Sequence, residues 1–263
     1  MNFNFKKSLG QNFLTDKNIL ERIVSSANIQ GNSLVIEIGP GSGNLTRFIA
    51  KYAIHVLCYE IDTRLEEILD ENLKDFQNIT IIYDDFLKRD IKTDIEKFSF
   101  DNLYLVANLP YYITTPIIEK VIQSNLSFKK LTIMIQKEVG ERFMALPKTK
   151  EYNSLTVYLN YYFDIKREFV VSRNAFIPKP NVDSIVISLI KKDNLLELND
   201  INLFNKLLKD SFKYKRKTIK NNLKNYDLKT LEKILNKYNY SLASRAEEIP
   251  LEVFVELANN LKN

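Results

Sequence analysis

Ser33-Leu34-Val35-Ile36-Glu37-Ile38-Gly39-Pro40-Gly41-Ser42-Gly43-Asn44-Leu45-Thr46 decides the fold. Its first six residues form an apolar run broken only by Ser33 and Glu37. Such a run marks a strand buried on both faces of a parallel sheet. Three of the chain's six glycines then fall within five residues. An ordinary turn from strand to helix needs one glycine; three suit a backbone that turns tightly and approaches a ligand closely. From Asn44 the spacing becomes helical. Strand, glycine turn and helix together open an α/β sheet whose site lies at the carboxyl ends of its strands.

The same alternation runs outward from this segment. Ile54 to Glu60, Ile79 to Tyr83, Asn102 to Ala107 and Leu131 to Ile135 read as further buried strands. Asn44 to Tyr52, Asp62 to Asp75, Thr115 to Gln123 and Lys137 to Ala145 read as helices, with Asp62 and Thr115 as amino-terminal caps. Strands alternating with helices predict a mostly parallel sheet covered on both faces. Asn153 to Phe163, Glu168 to Ser172 and Val182 to Ile190 read as strands too close together for crossover helices, so at least one pairing at that edge is expected to be antiparallel. Lys191 to Asp200 is polar and reads as a linker. Beyond it, leucines from Leu203 to Leu261 recur at helical spacing. The expected division is an α/β domain over residues 1–191 and a small all-helical domain over 192–263.

Composition narrows the chemistry. The single cysteine, Cys58, cannot close an internal disulfide, and with the single histidine, His55, it cannot supply an ordinary four-ligand zinc site. No metal is therefore expected, and both residues read as parts of a buried strand. No apolar run reaches the roughly 18 residues of a membrane helix, and Asn2, Asn4, Lys6 and Lys7 occupy the place of a signal peptide's apolar stretch. The expectation is a cytoplasmic protein, by default a monomer. Net charge is +5 but unevenly spread: Glu60 to Asp101 carries 13 acids against 6 bases, and Lys206 to Lys224 carries 8 bases against Asp210 alone. The basic end, with Lys213, Lys215, Arg216, Lys217 and Lys220 at its centre, is suited to a polyanion such as nucleic acid.

A nicotinamide-binding loop would require a third glycine at position 44, where Asn44 stands. The Gly39-x-Gly41-x-Gly43 spacing instead resembles the nucleoside-binding loop of Rossmann-like methyltransferases, and Glu37 belongs to that signature. The resemblance implies S-adenosyl-L-methionine as cofactor. Glu60, at the end of the second strand, is placed to accept hydrogen bonds from ribose hydroxyls. Asp85, after the third strand, is placed to accept from an adenine amino group, with Asp84 as the alternative.

The acceptor site follows the fourth strand as Asn108-Leu109-Pro110-Tyr111. An adenine amino nitrogen is a poor nucleophile because its lone pair is delocalised into the ring. Two fixed acceptors, one per amino hydrogen, would localise that lone pair and aim it. The Asn108 side-chain oxygen and the Leu109 carbonyl can fill these places. Pro110 disfavours helical geometry at Leu109 and offers no competing donor. Tyr111 would stack on the extruded base, Tyr112 being able to share that role. Stacking is worth roughly 1–3 kcal/mol per base, against a few kcal/mol for extrusion. The tetrapeptide resembles the Asn-x-Pro-aromatic motif of amino-group methyltransferases, whose chemistry needs no histidine base.

Across both domains, in order, the chain resembles the ribosomal RNA adenine dimethyltransferases of the KsgA type. The matching segments are Lys7 to Leu14, Glu37 to Gly43, Asn108 to Pro116, Gln136 to Val139, Phe176 to Ser184, Lys215 to Thr218 and Arg245 to Glu248. The resemblance implies a Rossmann-like class I methyltransferase sheet with an antiparallel edge and a helical rRNA-binding domain. It implies dimethylation of N6 on each of two adjacent adenosines in a hairpin loop near the 3′ end of small-subunit (16S) rRNA within the pre-30S particle, with a role in small-subunit biogenesis. It adds Asn12 and Leu14 as cofactor contacts beside Gly39, Glu60, Asp85 and Asn108, and it places Phe176 at the target-base pocket. Ser42 and Tyr112 depart from common family residues and bear only on local packing. Three other readings stay open on sequence: the sister enzymes that methylate large-subunit RNA, an assembly factor acting by binding alone, and an adenine-methylating DNA enzyme.

Overall fold

A computed structural model describes residues 12–110 and 113–261. The chain divides into two compact units: the described residues up to Gly140 together with Lys166–Lys191, and Glu141–Ile165 together with the chain from Lys192 onward.

The first unit begins with β1 (Phe13–Leu14) and α1 (Lys17–Ala27), whose start is capped by the Asp16 carboxylate accepting from Asn18 and Ile19 N–H at 2.9 and 3.3 Å. Leu20, Ile23, Val24 and Ala27 recur on one face of α1 and are buried. Then follow β2 (Ser33–Ile38), α2 (Asn44–Ile49), β3 (His55–Tyr59), α3 (Glu66–Leu73), β4 (Ile79–Ile82), α4 (Ile91–Ile95), β5 (Asn102–Asn108), α5 (Thr114–Gln123), β6 (Phe128–Gln136) and α6 (Lys137–Phe143). After α7 (Ser154–Tyr162) in the second unit, β7 (Phe163–Val171) crosses back into the first at Lys166, followed by β8 (Phe176–Ile177) and β9 (Ser184–Lys191). The principal sheet has seven strands in the order β4-β3-β2-β5-β6-β9-β7. β2 pairs in parallel with β3 and β5, and β6 pairs antiparallel with β9. The chain builds outward from β2 first in one direction and then in the other, so the crevice between the carboxyl ends of β2 and β5 is the topological switch point of the sheet.

Every residue of β2 is buried, as its unbroken apolar run requires. Asp62 caps the helical segment after β3 by accepting from Arg64 N–H, as the sequence suggested. Thr115 does not cap α5. That helix starts one residue earlier, with Ile113 at the cap position.

Two expectations need correction. Asn153 to Phe163 is not a strand: Ser154–Tyr162 is a helix. The Asn153 side chain accepts from Leu155 and Thr156 N–H at 2.9 and 3.2 Å, while Asn153 N–H donates to Thr156 Oγ1, a reciprocal cap that overrides the β propensity of Val157, Tyr158, Tyr161 and Tyr162. The first unit still ends at Lys191, but Glu141–Ile165 groups with the helical unit and not with the sheet. Tyr152, Val157 and Tyr161 belong to the core of the helical unit, with Phe204, Leu207, Leu231 and Phe254. That unit continues through α8 (Ile201–Ser211), α9 (Ile219–Asn222), α10 (Leu228–Lys237) and α11 (Leu251–Asn260). No helix among the described residues is long and apolar enough to cross a membrane.

Candidate active site

A cavity of about 210 Å³ opens at the switch point. Its lining includes Gly39 and Gly41 after β2, Glu60 after β3, Asp85 after β4, and Asn108, Leu109 and Pro110 at the end of β5. Four strand ends, distant in sequence, thus deliver these groups to one place.

Gly39, Gly41 and Gly43 have φ of 69°, 62° and 79°. All lie in the left-handed region that side chains resist. The three serve different ends. A Cβ on Gly39 would meet nothing within 4 Å, so its backbone is open toward the cavity; one on Gly41 would strike the Phe13 ring at 2.7 Å; one on Gly43 would press on Leu73 at 3.0 Å. Gly43 does not line the cavity but caps α2 against α3.

Glu60 ties the glycine loop to the next turn. Its carboxylate is 4% exposed and accepts from Gly41 N–H at 3.1 Å and Asp62 N–H at 2.9 Å. Burial raises its pKa, and these N–H groups act in the opposite direction. Each oxygen keeps a second lone pair for a ligand hydroxyl. Glu37, 1% exposed, lies beneath, with the Cys58 thiol donating to it at 3.7 Å. Burial pushes the Glu37 carboxyl up to about 8 from 4.5.

A buried acid raised in this way holds its proton more tightly folded than unfolded. The resulting stabilisation is complete below the unfolded pKa of 4.5 and is lost as pH climbs through the folded value of about 8. Glu37→Gln is therefore expected to lose less stability than the parent chain between about pH 5 and pH 8. For a chain of this size, each kcal/mol of the difference moves Tm by about 2–4 °C. Thermal melts of the two proteins across that range check this; parallel Tm curves would contradict it.

Asp84 and Asp85 separate by their partners. Asp84 pairs with Arg89 at 3.4 Å, and Arg89 also grips the buried Asp94, which accepts from the Tyr59 hydroxyl at 3.0 Å. Asp85 accepts from Leu87 N–H at 3.0 Å, and among the described residues its cationic partner is the exposed Lys88, at 3.9 Å. Asp85 is thus the more available of the two carboxylates.

At the acceptor motif, the Asn108 amide nitrogen donates to the Asn12 carbonyl at 3.3 Å, which fixes the rotation of the carboxamide. Leu109 N–H donates to Met134 carbonyl at 3.0 Å and pins the peptide after β5. Tyr111 and Tyr112 lie outside the described residues, as do Lys7 to Gln11 of the amino-terminal segment. Asn12 and Leu14 both line the cavity, and the Leu14 carbonyl accepts from Asn44 at 3.0 Å. β1 is held from the other side by antiparallel pairing with β8, Leu14 opposite Phe176. That pairing was not foreseen, since two-residue strands carry no periodicity.

Phe176 is 3% exposed and packs with Leu14, Leu20, Val171 and Val186; it is not itself among the residues lining this cavity, though Leu14 and Leu20 are. The sequence reading missed Phe13, Tyr59, Phe86 and Ile113, which form apolar walls of the cavity. Phe13 alone had a signal, standing between two residues already singled out. Lys213, Lys215, Arg216, Lys217 and Lys220 are exposed in and just beyond the turn from α8 to α9 of the second unit.

The model of the ribosomal RNA adenine dimethylase family matches residues 2–263. A ribosomal RNA small subunit methyltransferase A of Streptococcus pyogenes serotype M5 is 45% identical over 269 residues, covering 99% of this chain and 93% of its own length. A protein of the same description from Streptococcus pneumoniae strain P1031 matches with the same identity and coverage. Among solved structures, a dimethyladenosine transferase from Plasmodium falciparum superposes with a TM-score of 0.77 at 27% identity, over 93% of this chain and 95% of that one. The 23S rRNA methyltransferase ErmE superposes with a TM-score of 0.74 at 26% identity, over 96% and 100%.

Proposed function

This chain belongs to the ribosomal RNA adenine dimethylase family, and from that premise we propose that it dimethylates N6 of two adjacent adenosines near the 3′ end of small-subunit (16S) rRNA. The family's activity is S-adenosylmethionine-dependent methylation of ribosomal RNA adenine. The fold alone does not identify the substrate, since a 23S rRNA methyltransferase superposes about as well as a dimethyladenosine transferase. The choice rests on the relatives at 45% identity, which are small-subunit enzymes over nearly their whole length. The pre-30S particle as substrate, a cytoplasmic location and action as a monomer belong to the same proposal.

One observation carries the chemistry: the glycine turn after β2 and Asn108-Leu109-Pro110 after β5 meet at one cavity at the switch point. The residues fit a nucleoside cofactor. Gly39 leaves open space where a side chain would stand, and Glu60 offers a fixed carboxylate. S-adenosylmethionine, when bound, supplies an electrophilic methyl group. Glu60 would hold its ribose and Asp85 its adenine amino group, with Asn12, Leu14, Glu37 and Gly41 completing the wall. Gly43 shapes the turn.

Asn108 Oδ1 and the Leu109 carbonyl would each accept one hydrogen of the target amino group, localising the nitrogen lone pair. Tyr111 would stack on the extruded base, with Tyr112 and Phe176 at the same pocket. The helical unit, through Lys213, Lys215, Arg216, Lys217 and Lys220, would hold the RNA backbone.

The test is incubation with methyl-labelled S-adenosylmethionine and either small or large ribosomal subunits lacking adenine methylation. Label is expected in small-subunit RNA alone. Label in large-subunit RNA would overturn the substrate assignment.

A further inference from the structure

The helical unit uses its tyrosines for packing, with one exception. Tyr152 and Tyr161 are buried in its core, and Tyr158, Tyr162, Tyr226, Tyr238 and Tyr240 pack against it. Tyr214 is 56% exposed, and among the described residues no other aromatic side chain of this unit is so open. An exposed ring is not unusual by itself; what sets Tyr214 apart is the cations around it.

The backbone at Tyr214 is firmly held. It sits in the turn from α8 to α9, where its carbonyl accepts from Lys217 N–H at 2.9 Å. Asn222, at the end of α9, closes on the same peptide groups: its Oδ1 accepts from Tyr214 N–H at 3.1 Å and its Nδ2 donates to Tyr214 carbonyl at 3.3 Å. The ring therefore projects from a fixed base. Lys213, Lys215, Arg216 and Lys217 surround it in sequence, with Lys213 Nζ 5.6 Å from the ring centroid. None of these four is in an ion pair with a described residue. Cations without acidic partners, with an open aromatic face in their midst, match a ligand that offers phosphates and an unstacked base together.

We propose that Tyr214 is a stacking platform for an unpaired base of the RNA, while the cations beside it take the flanking phosphates. This rests on the reading of the helical unit as RNA-binding and adds how it selects single-stranded or looped RNA.

The experiment is equilibrium binding of the full-length protein to small ribosomal subunits lacking the modification, over a series of salt concentrations. Tyr214→Ala should weaken binding roughly 5- to 150-fold, the worth of one stacked base, without changing the salt slope. Tyr214→Phe should bind like the parent chain. Lys213→Ala and Lys217→Ala should instead flatten the slope, by roughly 0.7–0.9 log units for each phosphate no longer neutralised. The chain has no tryptophan, so Tyr214→Trp provides a sole indole whose fluorescence should be quenched on binding. Undiminished affinity in Tyr214→Ala, or an unquenched indole, would overturn the proposal while leaving the RNA-binding reading intact. So would a loss seen with subunits but not with protein-free small-subunit RNA, because the ring would then meet a ribosomal protein. Unchanged slopes in both lysine variants would overturn the RNA-binding reading, and the proposal with it.

Discussion

Asn108→Ala is expected to slow methyl transfer by about 100- to 1000-fold, while affinity for the ribosomal subunit stays within about twofold. The side chain stands at the end of β5, its amide nitrogen held by the Asn12 carbonyl at 3.3 Å, so its oxygen is set before the substrate arrives. A fixed acceptor of this kind acts on the reacting amine and not on the phosphate backbone. Its removal leaves one hydrogen of the amino group without a partner and the lone pair partly conjugated with the ring. The loss should fall in the single-turnover rate at saturating cofactor and saturating subunits. Asn108→Asp keeps an acceptor but cannot donate to Asn12, and is expected to fall between the two. A single-turnover rate for Asn108→Ala close to that of the parent would remove the proposed chemistry.

Glu60→Gln is expected to weaken S-adenosylmethionine binding by about 10- to 150-fold, equivalent to one charged hydrogen bond of about 1.5–3 kcal/mol. The carboxylate accepts from two backbone N–H groups, at Gly41 and at Asp62. A carboxamide can accept at only one of them and turns an NH₂ group toward the other, leaving a buried donor unpaired. The glycine loop is loosened where Glu60 now fastens it, and one ribose acceptor is lost as well. Both effects act in the same direction. Titration calorimetry with S-adenosylmethionine measures the change, and an unaltered Kd would show that Glu60 only supports the fold. Because the carboxyl is buried and its pKa raised, the variant should also lose less stability than the parent chain as pH rises.

The parallel part of the sheet, β2 to β6, was legible because its strands are largely apolar runs separated by helical spacing. The site was legible for a related reason. Glycines at Gly39 and Gly41, an acid at Glu60 and the Asn108 motif all follow strand ends, and strand ends on one side of a parallel sheet converge. What escaped was set by partners distant in sequence. Ser154 to Tyr162 has the composition of a strand, and the cap between Asn153 and Thr156 decided for helix. β1 and β8 are two residues each and exist only through each other. Phe176 is held by its pairing opposite Leu14, with the side chain buried and the neighbouring Ile177 58% exposed, a packing that has no signature in the local sequence. The tyrosine at 214 was passed over because the lysines beside it drew attention to charge alone.

The most direct test of the central claim, that Asn108 and Leu109 activate an adenine amino group, is mass spectrometry of nucleosides released from small-subunit RNA after reaction with the purified protein. N6,N6-dimethyladenosine is expected with the parent chain and is expected to be nearly absent with Asn108→Ala at equal bound RNA. Methyl groups on a ring nitrogen, on a ribose hydroxyl or on another base would contradict the claim.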